Sequence, residues 1–162
     1  MPSQDQASSL SPLPAAIVIG GLFAGSLDIF VASTINHATP ATILQAIASG
    51  LIGRASYDDG AGTVALGLLL QWLMSLAIAA IYGAAGVRLP ALIDKPVRFG
   101  ALYGLGVFIV MGFIVLPLSA AYPKPEPSLS GFILNLAANI LFGLIVASTL
   151  SLMRVGRRAA WI

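Results

Sequence analysis

The stretch AGTVALGLLLQWLMSLAIAAIY, residues 61–82, decides the fold. It runs without a single charged side chain and is long enough to cross a bilayer, since a helix needs about 20 mostly apolar residues to pass the hydrocarbon core. Three further stretches meet the same standard: residues 15–34, 99–118 and 129–153. Composition agrees, with 58% of the chain hydrophobic and only 9% charged, against about 25% charged in an average soluble domain. Soluble helices this long and this apolar would need a much larger protein around them. The expected fold is an all-α membrane protein, a four-transmembrane-helix bundle over residues 15–153, with a short external amphipathic helix.

Composition also excludes several functions. The chain has no cysteine, which removes disulfides, thiolate nucleophiles and Cys-ligated metals. A net charge of +2, with no basic cluster interleaved with aromatics, argues against nucleic acid. His37 is the sole histidine, and no companion ligands stand at metal-binding spacing, so it reads as a surface residue. Asp58-Asp59-Gly60 lacks the rest of a calcium loop and reads as a solvated turn. Gly104 and Gly106 are only a fragment of a dinucleotide fingerprint inside an apolar helix. No serine elbow, phosphate-binding loop or His–Glu pair is present. Neither an enzyme nor a cofactor is expected.

The charges that remain read as topology signals. Four spans put both termini and the second loop on one side, with Arg88, Lys95, Arg98, Arg154, Arg157 and Arg158; the other side carries Arg54 and Lys124. By the positive-inside rule the termini are cytoplasmic. Residues 1–14 are polar, Ser- and Pro-rich and read as a disordered cytoplasmic tail; they lack the basic region of a signal peptide, so the first span reads as retained. Residues 154–162 read as a basic cytoplasmic tail. Residues 119–128 form a short Pro-rich external loop, and Phe30, Tyr82, Phe99, Tyr122 and Trp161 suit an interfacial aromatic belt.

The connection 35–60 is longer and not featureless. Thr39-Pro40 reads as N-cap and first residue of a helix, and Gly50 as its stop. Ile43, Leu44, Ile47 and Leu51 fall on one face. Residues 40–49 are too few to span. They predict an external interfacial helix that caps the bundle or, alternatively, dips into it.

Polar residues inside the spans carry the functional signal, because an unpaired polar group is costly in hydrocarbon. At a spacing of four the spans give Gly20, Ala24, Asp28, Ala32; then Thr63, Gly67, Gln71, Ser75, Ala79, Gly83; then Gly100, Gly104, Phe108, Gly112; then Gly131, Asn135, Asn139, Gly143, Ala147, Ser151. These stripes predict inward faces, with small residues allowing close backbone approach and amides bonding across helices. Counting from span ends pairs Asp28 with Asn135, roughly 9 Å deep, and Gln71 with Asn139, roughly 15 Å deep. Asp28, Gln71, Asn135 and Asn139 are thus the candidate polar site. A charge at the depth of Asp28 costs about 2.5–3.5 kcal/mol on insertion scales. Asp28 reads either as a neutral acid locking two helices or as a proton or cation site.

Gly25-Ser26-Leu27-Asp28, the external run from Ala46 to Gly53, Ala80-Ile81-Tyr82, Leu116-Pro117 and the Arg residues after the fourth span together resemble small bacterial inner-membrane proteins of the YagU-like kind. The resemblance implies four spans, a long first external loop and a bacterial inner-membrane location, but no activity. Family members tend to carry histidines in the second and fourth spans; Gln71, Asn135 and Asn139 stand there here, which speaks against a haem or metal role. The expected function is non-enzymatic: an accessory or self-associating protein whose partners are the lipid bilayer and a homo-oligomer or larger membrane complex. The alternative is a small channel or proton-coupled transporter using Asp28 and the amide layer.

Overall fold

The computed structural model describes residues 12–124 and 128–159. It is helical, with no strand among the described residues: α1 Pro12–Ile35, α2 Pro40–Ile52, α3 Gly60–Arg88, α4 Ala91–Asp94, α5 Pro96–Leu118 and α6 Leu129–Ala159. The helices α1, α3, α5 and α6 are each long and apolar enough to cross a membrane. The protein is therefore a multi-pass membrane protein built as a four-span bundle.

Local chemistry explains the element ends. Pro12 and Pro14 occupy the first turn of α1, where a helix makes no use of backbone donors. At its other end Ser33, Thr34 and Asn36 turn their side chains back onto the carbonyls of Ile29, Phe30 and Ala32 at 2.8–3.0 Å. His37 then takes the left-handed region, with φ +51°, and the helix stops. Thr39 caps α2 by accepting the Thr42 amide at 3.2 Å, and Pro40 follows it as expected. The stop is Gly53, with φ +63°, and not Gly50. Gly50 continues the helix, and its carbonyl accepts the Ala120 amide at 2.9 Å. A five-residue 3₁₀ turn, Gly53–Tyr57, leads to α3. Within α5, Met111–Val115 widens to a π turn just before Pro117, which cannot donate to the carbonyl four residues back.

Of the expected tail 1–14, residues 12–14 belong to α1, and 1–11 lie outside the described residues. The expected basic tail from residue 154 is helical as far as Ala159, while 160–162 and the loop residues 125–127 also lie outside them.

In space α3 packs on α1, α1 on α6, and α6 on α5, while α2 lies along α3. Glycine sets each contact. A Cβ on Gly67 would overlap the Leu44 carbonyl, so α2 rests directly on the α3 backbone. Gly100 and Gly143 face each other across α5 and α6, and Gly104 meets the backbone of Asn139 and Ile140. Gly21 lies against Leu76, and Gly20 against Thr149. Close backbone approach maximises dispersion contact where no hydrophobic effect drives helices together.

The core is asymmetric. Ala16, Ala24, Ala79, Tyr82, Ile93, Phe142, Val146, Ala147 and Leu150 form one buried cluster, most of it in the half of the bundle nearest α4. In the half nearest α2, Ile109, Val110, Phe113, Ile114 and Leu118 of α5 and Leu129, Phe132, Ile133 and Leu134 of α6 are exposed.

Candidate functional site

Of the four predicted site residues, the fold brings two together. Gln71, buried on α3, donates from Nε2 to Asp28 Oδ2 at 3.0 Å and to the Gly25 carbonyl at 3.1 Å. One turn of each helix supports this joint. Trp72 Nε1 donates to Ser26 Oγ at 3.2 Å. Ser75 is buried against Gly25, where any Cβ would collide with its hydroxyl. The result is a polar seam of Gly25, Ser26, Asp28, Gln71, Trp72 and Ser75 between α1 and α3, with a partner for the polar head of each long side chain.

The expected pairing of Asp28 with Asn135, and of Gln71 with Asn139, is not formed. Asn135 Nδ2 donates to the Gly131 carbonyl at 2.8 Å, and Asn139 Nδ2 to the Asn135 carbonyl at 2.9 Å, both within α6. Two physical facts defeat the depth count. α3 begins 11 residues before Gln71, whereas α1 ends only 7 after Asp28, so α3 projects roughly 6 Å further and apolar run ends do not mark one plane. The stripe on α6 also turns out of the bundle, because a repeat of four drifts around a helix of 3.6 residues per turn. Gly143 and Ala147 are buried, Asn139 is half-buried and Asn135 is exposed. On α3 the stripe stays inward, with all six of Thr63, Gly67, Gln71, Ser75, Ala79 and Gly83 buried.

Depth makes the exposure of Asn135 significant. Gly104 packs against Asn139, and the end of α5 at Leu118 lies roughly 21 Å beyond Gly104 at 1.5 Å per residue. Asn135, one turn nearer that end than Asn139, is about 15 Å inside it and about 9 Å inside the start of α6 at Leu129, within the apolar run of its own helix. Its only hydrogen bond among the described residues is to its own helix.

The chain matches no protein-family model, no curated protein and no solved structure. Its chemistry is therefore read from its own side chains. No group of three or more His, Cys, Asp or Glu able to hold a metal occurs among the described residues. The α1–α3 seam offers one carboxyl, one amide and hydroxyls, a set able to hold helices together or to relay a proton.

Several polar contacts had no clear sequence signal. Tyr82, expected in the interfacial belt, is 1% exposed. Its hydroxyl donates to the Leu92 carbonyl at 2.8 Å. Tyr103 donates to the Ile78 carbonyl at 2.6 Å, with the two rings 4.9 Å apart, and so ties α5 to α3. A tyrosine near a span end reads the same whether it meets headgroups or a neighbouring helix. The expected apolar face of α2 is also turned: Leu44, Ala48 and Ser49 are buried, whereas Leu51 is exposed. Gln45, on what reads as the wet face, donates to Thr63 Oγ1 at 3.4 Å. At the end of α2, Ser49 Oγ accepts the Tyr122 amide at 3.1 Å, and the Arg54 guanidinium stands 5.9 Å from the Tyr122 ring. The α5–α6 connection is thereby fastened to α2.

Proposed function

We propose that this chain is a bacterial inner-membrane protein with cytoplasmic termini that acts by helix packing and self-associates through the α2-end halves of α5 and α6. The observation that supports this most is Asn135, an amide exposed within the apolar run of α6 and bonded, among the described residues, only to its own helix. Its side-chain oxygen and second amide proton can be satisfied by the same residue of a second copy across a two-fold axis. Gly106 and Gly112 of α5, with open space where a Cβ would point, supply close approach on the same half.

An interhelical amide pair of this kind is worth about 1–2 kcal/mol in model peptides, so Asn135→Leu should weaken association about fivefold to thirtyfold. Native mass spectrometry from a gentle detergent measures it. A wild-type chain that stays monomeric at all concentrations, or an Asn135→Leu variant that assembles as before, rules the reading out. Reporter fusions at Lys95 and Lys124 test orientation, with the first expected cytoplasmic and the second external.

A second reading, a proton-coupled transporter or small channel, is favoured by the single intramembrane acid held by Gln71 in the α1–α3 seam. It requires that Asp28→Asn keep the fold and abolish pH-dependent flux in proteoliposomes. Equal flux in the variant removes it.

A further inference from the structure

At the α4 end the bundle encloses a half-open cavity of about 250 Å³ between α1, α3, α4 and α6. Ala16, Gly83, Gly86, Val87, Ile93 and Leu150 are among its lining residues, and every lining side chain is apolar. Its volume is many times the roughly 30 Å³ that a water occupies, and its apolar side chains offer water few partners, so it has room for an apolar guest. The cations of this end stand next to the lining along the chain. Arg88 directly follows Val87, Lys95 lies two residues after Ile93, and Arg98 one turn further on; all three are exposed. The one acid among the described residues of this segment is Asp94.

The geometry points to a binding site for an anionic phospholipid, with one acyl chain in the cavity and the phosphate on Arg88, Lys95 and Arg98. An apolar cavity whose lining residues are followed in sequence by exposed cations matches the two halves of such a lipid. A zwitterionic lipid would supply the chain but not the net charge. The two glycines let neighbouring side chains pack onto the α3 backbone at the cavity wall: a Cβ on Gly86 would stand 2.6 Å from Ile93 Cδ1, and one on Gly83 would stand 3.0 Å from Ile17 Cδ1.

The test uses the full chain, delipidated in detergent and titrated with phosphatidylglycerol or phosphatidylcholine, with bound lipid counted by native mass spectrometry. The wild type should retain phosphatidylglycerol preferentially. Val87→Trp, at a site 64% exposed and hence tolerant of size, should fill the groove and reduce retention about tenfold or more. Met153→Trp does the same from α6, should the first variant fold poorly. Arg88→Gln with Lys95→Gln should leave acyl uptake but cost the preference roughly fivefold for each cation lost. Equal retention of the two lipids by the wild type overturns the proposal, as does undiminished phosphatidylglycerol binding in both tryptophan variants. A chain that gains lipid only when residues 2–11 are removed also overturns it, because the groove would then belong to the protein's own N-terminal segment.

Discussion

The joint between Asp28 and Gln71 can be tested by a double-mutant cycle, and its magnitude follows from the contacts. Gln71 Nε2 makes two hydrogen bonds, to Asp28 Oδ2 and to the Gly25 carbonyl. Interhelical bonds of this kind average about 0.6 kcal/mol in membranes, with a maximum near 1.7. Gln71→Leu, close in volume, should therefore cost about 1.2 kcal/mol if Asp28 is neutral. If Asp28 is ionised, the variant strands a charge whose one side-chain partner among the described residues is gone, and roughly 2.5–3.5 kcal/mol is added. Asp28→Asn keeps an oxygen for Gln71 Nε2 to reach and should cost under about 0.5 kcal/mol, because the lost feature is only the acid proton or the charge. In Asp28→Leu with Gln71→Leu, the coupling between the two sites should be about 0.6 kcal/mol and no more than about 2. Reversible unfolding in bicelles, followed by tryptophan emission from Trp72, measures all four corners. A coupling of zero refutes the seam. A loss above about 3 kcal/mol in Gln71→Leu refutes the neutral acid, and so does failure of Asp28→Asn to fold.

Three other perturbations probe the frame around that seam. Gly67→Val places side-chain atoms where the Leu44 carbonyl lies; α2 should lift from α3 at a cost of about 1–3 kcal/mol, and a single cysteine at position 44, introduced into a chain with no native cysteine, should become reactive to aqueous thiol reagents, whereas continued protection would mean that α2 docks elsewhere. Gly53→Ala puts a Cβ at φ +63° and ψ −145°, a region open essentially to glycine alone, so thermal stability should fall by the equivalent of about 1–3 kcal/mol; an unchanged melting temperature would contradict the turn geometry. Ser56 is fully buried and its hydroxyl has no hydrogen-bond partner among the described residues, so Ser56→Ala should be neutral or stabilising by about 1 kcal/mol, and a loss larger than that would reveal a partner for the hydroxyl.

The sequence by itself determined the class and much of the lining. Length and purity of the apolar runs dictate four spans, because each run is long enough to cross the hydrocarbon core and carries almost no charge. The glycine and polar stripe of α3 is legible as its buried face, since hydrocarbon penalises any other placement of Gln71 or Ser75. Thr39-Pro40 announces the start of α2 through backbone chemistry that is local. What only the tertiary structure decided is which stripe meets which. Depth counts assume that every span ends in one plane, but α3 overshoots α1, and Asp28 meets Gln71 rather than Asn135. The stripe of α6 follows the same rule as that of α3, yet its outer part, Gly131 and Asn135, faces away from the other helices once Gly100, Gly104 and Gly143 have fixed the crossing with α5. Tyr82 reads as a headgroup anchor until α4 folds beneath it and offers the Leu92 carbonyl. Periodicity tells a residue which side of its own helix it occupies; the angle and offset between helices, set by where backbones touch, decide what stands opposite.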